Sequence, residues 1–239
     1  MKDSLLLGDL FVSRAPDGFL LRAKGMEDLL DPRPELAVVA VVQDREIGEE
    51  DGRACADRLA AAWNACRQTD EAMLKRVSLG EVVEGLRNCV VACSKSDCGL
   101  DIRLRSLIEE AEGRFRSGAV SGSHRFGRLM VSPEGDAFAV RARSSDGEIP
   151  RRLGTAAVVE QNEIFTHEEA GKYATRLALS WNACRSTSDG HLQQCTFNEW
   201  VRLFSKTVKA MTEPTRDFGW GGNWRVDEAL KVMRSIHHA

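Results

Sequence analysis

Hydrophobic and polar residues alternate near the start of the chain, in the pattern of a β-hairpin. Leu10–Ser13 and Phe19–Arg22 each show the period of two that is typical of strands, and a Pro-Asp-Gly turn lies between them. A third strand is predicted at Leu36–Val42, because its run of apolar residues is nearly unbroken. Such a run is typical of a central strand that is buried on both faces.

The hydrophobic period then changes to that of α-helices. In the first predicted helix, the spacing i, i+3, i+4, i+7 gives one apolar face, made of Leu59, Ala62, Trp63 and Cys66. A second helix begins with a capping box, in which Ser78 is followed three positions later by Glu81. The helices predicted here cover about Glu49–Cys66, Ser78–Cys93 and Leu100–Phe115.

The five-residue word WNACR occurs twice, at Trp63–Arg67 and at Trp181–Arg185. When the two words are aligned, Arg58–Thr69 matches Arg176–Thr187 at most positions, and the preceding hairpins match with one position of slippage. A period of this length predicts the tandem duplication of a domain-sized unit rather than a solenoid.

The segment Ser117–Arg125 between the two words is rich in Gly and Ser, which is typical of a linker. We therefore expect one repeat at residues 1–118 and a second at residues 119–239. The second repeat shows the same order of signals, with capping boxes that begin at Thr166 and Thr196. The sequence thus predicts an α+β fold of two tandem β-β-β-α-α-α units, with helices packed on one face of small antiparallel sheets.

The repeated word has a catalytic and a structural interpretation. Cysteine catalysis needs a His, a Lys or a helix N-terminus that lowers the pKa of the thiol, whereas Cys66 and Cys184 are predicted near helix C-termini. Packing of Trp and Cys in the core, with Asn bonded to backbone, needs none of these groups. We favour the structural interpretation for six residues of the two words: Trp63, Asn64, Cys66, Trp181, Asn182 and Cys184.

The helices that carry this word resemble those of small phage and prophage proteins. Those proteins contain a word similar to NAxxIVxxxNAC, followed by a Gly-Ile-Pro turn or a turn with Thr. The matching residues are Arg58, Leu59, Asn64, Ala65, Cys66 and Thr69, and then Arg176, Leu177, Asn182, Ala183, Cys184 and Thr187. Some accessory genes of this kind counter host defences such as CRISPR, so the resemblance implies a host macromolecule as the partner. The chain departs from these proteins in its length, its duplication and its added helices.

The composition fits a protein with a hydrophobic core. Apolar residues make up 43% of the chain, which suffices for such a core, and the net charge of −3 gives no global attraction for nucleic acid. No apolar run approaches the roughly 18 residues needed to cross a bilayer, and the N-terminus makes a poor signal peptide. We expect a cytoplasmic protein of the host cell that has no membrane partner.

Two groups of residues have a spacing that metal sites use. Cys89, Cys93 and Cys98 resemble part of a zinc site, but no fourth ligand is nearby and the second repeat has Thr and Met at the first two positions. His191 and Cys195 are spaced as a possible ligand pair but stand alone, and we expect a solvated turn and the start of a helix there. Because the chain has no P-loop, dinucleotide or hydrolase motif, we expect no cofactor, no bound metal and no enzymatic activity.

Two surfaces are candidates for partner binding. The loop before the last helix carries Phe218, Trp220 and Trp224, and aromatic side chains on such loops are typical anchors of binding sites, although they can also pack onto the core. A stretch rich in arginine suits the binding of phosphate or carboxylate, although ordinary surface charge explains it as well. The arginines in question are Arg125, Arg128, Arg141, Arg143, Arg151 and Arg152.

These features favour a non-catalytic function. We expect a binding or inhibitor protein of phage or mobile-element origin that occupies the surface of a host defence component, such as a CRISPR protein or ribonucleoprotein complex. The alternative is a protein that binds nucleic acid, or sequesters a nucleotide, through the arginine stripe and loses affinity steeply with salt.

Overall fold

The computed structural model describes residues 8–23, 37–43, 48–94, 102–117, 126–144, 154–162, 166–212 and 223–237. The strands in these ranges are β1 Leu10–Ala15, β2 Gly18–Ala23, β3 Ala37–Gln43, β4 Phe126–Glu134, β5 Ala137–Ser144 and β6 Gly154–Glu160. They form one sheet in the order β1-β2-β3-β6-β5-β4. All neighbouring strands in this sheet are antiparallel.

The strands from the two halves of the chain meet in the middle of this sheet, where Val41 of β3 pairs with Val158 of β6. The sequence predicted separate small sheets, and the structure instead joins the six strands into one. The reason lies in β3 and β6 themselves, because strands as apolar as these are stable in a central position with a neighbour on both sides. The α+β class is confirmed.

The helices in the described ranges are α1 Glu49–Cys66, α2 Glu71–Arg76, α3 Leu79–Ser94, α4 Ile102–Ser117, α5 His167–Cys184, α6 Asp189–Gln194, α7 Phe197–Thr212 and α8 Trp224–His237. The short helices α2 and α6 were not predicted, because six residues are too few to show a clear hydrophobic period. Each begins at a capping residue, since the side chain of Asp70 accepts from the N–H of Ala72 and that of Ser188 accepts from the N–H of His191.

The three capping boxes predicted from the sequence are confirmed. In each box the carboxylate of the Glu accepts from the backbone N–H of the capping residue, and the capping hydroxyl accepts from the N–H of the Glu. These reciprocal bonds join Ser78 with Glu81, Thr166 with Glu169, and Thr196 with Glu199. They fix the starts of α3, α5 and α7.

Two compact units make up the chain, and they do not coincide with the two sequence repeats. Unit 1 consists of Met1–Arg67 and Ser123–Asn182, and unit 2 consists of Gln68–Gly122 and Ala183–Ala239. Each unit therefore takes one segment from each half of the chain. The described elements follow the same order in both halves, and the gene duplication and the repeat boundaries at 118 and 119 stay predictions.

Unit 1 contains the sheet, α1 and nearly all of α5. Both helices pack on the same face of the sheet, so the predicted packing of helices on one sheet face holds for these two. Their core includes Trp63 and Trp181, and the Trp63 ring lies edge-on to Tyr173 with centroids 6.5 Å apart. At the first hairpin turn, Gly18 has a φ of 148°, and a Cβ there would collide with the carbonyl oxygen of Val42.

Unit 2 contains the remaining described helices, which pack on one another. Contacts of α3 with α7 and α8, and of α4 with α3, α6 and α7, form this helical unit. Its largest fully buried side chains include Phe197, Trp200 and Phe204, all from α7. Within the described ranges, no helix has the length and apolar character that crossing a bilayer requires.

Candidate functional site

The Trp-Asn pair of the first WNACR word bonds the start of the outer strand β1. The side-chain oxygen of Asn64 accepts from the N–H of Leu10 at 2.7 Å, and its Nδ2 donates to the carbonyl of Leu10 at 2.8 Å. The indole Nε1 of Trp63 donates to the carbonyl of Gly8 at 3.2 Å. Both backbone groups of one strand residue are therefore held by a single amide side chain.

The second word makes the same bonds to the other outer strand, β4. Asn182 accepts from the N–H of Leu129 at 2.8 Å and donates to its carbonyl at 2.9 Å, while Trp181 donates to the carbonyl of Gly127 at 3.0 Å. In the described sheet, β1 and β4 are the two outer strands. Each Asn thus occupies backbone groups that an additional strand would otherwise use.

The cysteines of the two words lie inside the protein. Cys66 and Cys184 are both fully buried. Arg176, which is only 4% exposed, donates from Nη2 to the carbonyl of Cys66 at 2.6 Å. This bond places a cation at the C-terminal end of α1, where helix carbonyls lack partners and the helix dipole is negative. The sequence showed Arg176 only as part of the matched word, and its role at another helix was missed.

A groove of about 480 Å³ lies between β4 and α5, within unit 1. Its polar lining residues are Arg128, Thr175 and Asn182. Its apolar lining residues are Leu129, Met130, Val131, Ala178 and Leu179. Met130 is 44% exposed, so an apolar side chain of the groove is open to solvent. Sequence reasoning found Arg128 and missed the groove, because α5 and β4 are far apart in the chain.

The charge around this groove differs from that at the matching positions of the first half. Arg128, Thr175 and Leu179 correspond to Asp9, Asp57 and Ala61 in the sequence alignment of the two halves. The two aspartates form exposed ion pairs, Asp9 with Arg67 at 3.4 Å and Asp57 with Arg53 at 3.1 Å. Among the described residues, Arg128 has no ion-pair partner. The groove is therefore more apolar and more cationic than the matching positions of the first half.

The structure describes only some of the residues predicted to bind a partner. Trp224 is 60% exposed at the first position of α8, with the Arg225 guanidinium 4.3 Å from its ring centroid. Arg141 forms an ion pair with Glu134, which offsets its charge. The predictions for Phe218, Trp220, Arg125, Arg151 and Arg152 lie outside the described residues, as does the side chain of Arg143. Among the members of this set that the structure describes, only Arg128 lines the groove.

Three of the buried thiols are poor nucleophiles. Burial raises the pKa of Cys55 and of Cys89 to about 12, and that of Cys93 to about 11. Cys89 and Cys93 lie in the core on α3, and Cys98 is outside the described residues. Among the residues that the structure describes, no group of three His, Cys, Asp or Glu side chains is arranged to hold a metal ion.

His191 is buried on α6, and the expectation of a solvated turn is therefore wrong for this residue. Its side chain is 7% exposed, and its ring lies against those of Phe115 and Trp200. The Nδ1 atom lies 2.9 Å from the hydroxyl of Ser188, and Nε2 is buried without a hydrogen-bond partner. Burial, together with the nearby charge of Arg87, lowers the pKa of His191. The sequence offered no signal for this environment, because the aromatic neighbours come from two other helices.

Comparison with known proteins adds no assignment to these observations. No protein family, no curated protein and no solved structure matches the chain.

Proposed function

We propose that the chain is a non-catalytic protein-binding protein and that the groove between β4 and α5 contributes its binding surface. The observation that carries this proposal is the combination of open apolar side chains, among them Met130 and Leu179, with the cation of Arg128. Apolar contact area with a few placed polar groups is the usual composition of a recognition surface for another protein.

The chemistry of the lining residues supports binding rather than turnover. A catalytic site needs a nucleophile with a nearby base, or an acid and a base within hydrogen-bond reach. The groove offers one guanidinium, one hydroxyl and one amide, and the amide of Asn182 is already bonded to Leu129.

The resemblance to small phage proteins extends the proposal to a host defence component as the bound protein. This extension rests on the shared word in α1 and α5 alone. The ion pair of Arg141 with Glu134 argues against the nucleic-acid alternative, because a paired arginine is less available for phosphate. We therefore place protein binding ahead of nucleic-acid binding.

The proposal is tested by affinity capture from a lysate of the host, with the whole chain as bait and with two matched variants. Leu179→Asp places a charge in the apolar part of the groove, and Ala61→Asp places the same charge at the matching position of α1. We expect wild type to capture a protein, and the amount captured should fall at least about tenfold with Leu179→Asp. The reason is that the partner would bury the new charge without a pairing group, which is costly. Ala61→Asp should retain it.

Nuclease treatment and salt separate the two classes of partner. Capture of a protein should survive nuclease and change little between low and moderate salt. Capture that disappears with nuclease, or that falls steeply with salt, would support the nucleic-acid alternative instead. Equal capture by wild type and by Leu179→Asp would refute a role for the groove.

A further inference from the structure

One residue of the groove presents free strand-edge groups. In an antiparallel pair, the N–H and C=O of a residue point together toward the partner strand or together away from it, in alternation. Leu129 points both groups away from β5, since both bond to Asn182. Val131 lies two positions further along β4 in a regular register, so its N–H and C=O point to the same outer side. Because Val131 also lines the groove, the groove contains a short stretch of strand edge.

From this geometry we infer that the groove binds a short, extended, acidic peptide segment of a partner protein by strand addition to β4. One residue of the peptide exchanges two backbone hydrogen bonds with Val131, as in other cases where a peptide extends a sheet. Its apolar side chain packs on Ala178 and Leu179 of α5, and a carboxylate of the peptide pairs with Arg128. This inference rests on the proposed function and specifies the kind of segment that the groove recognises.

The two neighbours of Val131 on the outer side of β4 limit the length of the added strand. At one end, the backbone groups of Leu129 are already bonded to Asn182. At the other end, Pro133 has no N–H to donate. A long strand therefore cannot pair along β4, and the peptide pairs in a single register at Val131. Affinity then depends on the side-chain contacts on either side of this residue.

Charge selects an acidic peptide and selects the second half of the chain. Arg128 lies three positions from Val131, about 10 Å along the strand, so we expect an acidic residue two to four positions from the paired apolar residue. On β1 the matching outward residue is Val12, but Asp9 and Asp57 replace Arg128 and Thr175 there. At β1 an acidic peptide therefore lacks the cation that Arg128 supplies at β4.

The inference is tested with a displayed library of random ten-residue peptides, selected on the whole chain. Val131→Pro removes the outward N–H without removing a bond between β4 and β5, and Val12→Pro makes the same change on β1. We expect enriched peptides in which an acid lies two to four positions from an apolar residue. Their affinity should fall at least about fivefold with Val131→Pro, which is the loss expected for one hydrogen bond, and should not change with Val12→Pro.

Three further measurements decide between the outcomes. Arg128→Glu should weaken the enriched acidic peptides at least about tenfold and should favour lysine-containing peptides in a repeated selection. If the affinity of the peptides falls with Leu179→Asp but not with Val131→Pro, strand addition is overturned and the groove remains a binding surface. If neither variant changes the affinity of the peptides, both the inference and the role of the groove in the proposed function are overturned.

A second copy of the chain is the competing occupant of this edge. Sedimentation velocity of wild type and of Val131→Pro measures whether two copies of the chain associate. A monomeric wild-type protein agrees with the inference. A wild-type dimer that Val131→Pro converts to a monomer would show that the edge pairs with another copy, and would overturn the assignment to a peptide of a partner protein.

Discussion

Replacement of Asn64 by Ala would show how much the WNACR word contributes to the sheet. The substitution removes both hydrogen bonds between this amide and the backbone of Leu10, at 2.7 and 2.8 Å. A typical hydrogen bond contributes about 1 kcal/mol to stability, so the pair contributes about 2 kcal/mol. Ala is the better helix former by roughly 0.5 kcal/mol, which offsets part of the loss. We expect the free energy of unfolding to fall by about 1–2 kcal/mol.

The second word allows an internal repetition of the same experiment. Asn182→Ala removes the equivalent bonds to Leu129, so the same loss is expected. β1 and β4 are five strand spacings apart in the sheet, which corresponds to about 24 Å. Perturbations that far apart are usually additive. The double variant should therefore lose about 2–4 kcal/mol.

Urea unfolding followed by circular dichroism measures these changes. Gln193→Ala serves as the control, because Gln193 is exposed on α6, and it should change stability by less than about 0.5 kcal/mol. A second readout is light scattering of the double variant, which frees the edges of β1 and β4 for pairing with other chains. If both single variants changed stability by less than about 0.5 kcal/mol, the bonds would be replaceable by water and the reasoning would be refuted.

Three other substitutions probe separate features. Arg176→Met removes the donor from the C-terminal carbonyls of α1 and should lower the free energy of unfolding in urea by about 2 kcal/mol. The control Arg185→Met, at an exposed position, should change it little. The pKa of His191 is lowered from 6.5 in the fold, so the unfolded chain binds the proton first as the pH falls. Stability should be fully present above about pH 6.5 and decrease below it, by at most about 1.4 kcal/mol per pH unit, and His191→Gln should reduce this dependence in urea titrations at several pH values. Gly18→Ala should lower the thermal midpoint, with a cost of about 1–3 kcal/mol, because its φ is positive and its Cβ would meet a backbone oxygen.

Local features of this fold follow closely from local sequence. The capping boxes at Ser78, Thr166 and Thr196 depend on residues three positions apart, and the alternation in the hairpins depends on a period of two. Interactions of this range leave a direct trace in the order of residues. For the same reason the α+β class and the approximate ends of the longer helices could be predicted.

Long-range features were not accessible in the same way. The pairing of Val41 with Val158, the bond from Arg176 to α1 and the contact of His191 with Phe115 all join segments that are distant in the chain. The apolar pattern of a strand shows that it is paired on both sides, but it does not show which strand is its neighbour. The groove combines β4 with α5 and was missed for this reason, even though Arg128 had been singled out.

The central position of β3 has a consequence for synthesis of the protein. Its neighbour β6 is translated roughly 120 residues later, so at 5–20 residues per second β3 waits about 6–24 s for its partner. During this interval the apolar segment AVVAVV of the nascent chain has one unpaired edge, which is the kind of surface that molecular chaperones bind. The most apolar strand of the first half is therefore fully paired only once β6 of the second half has emerged from the ribosome.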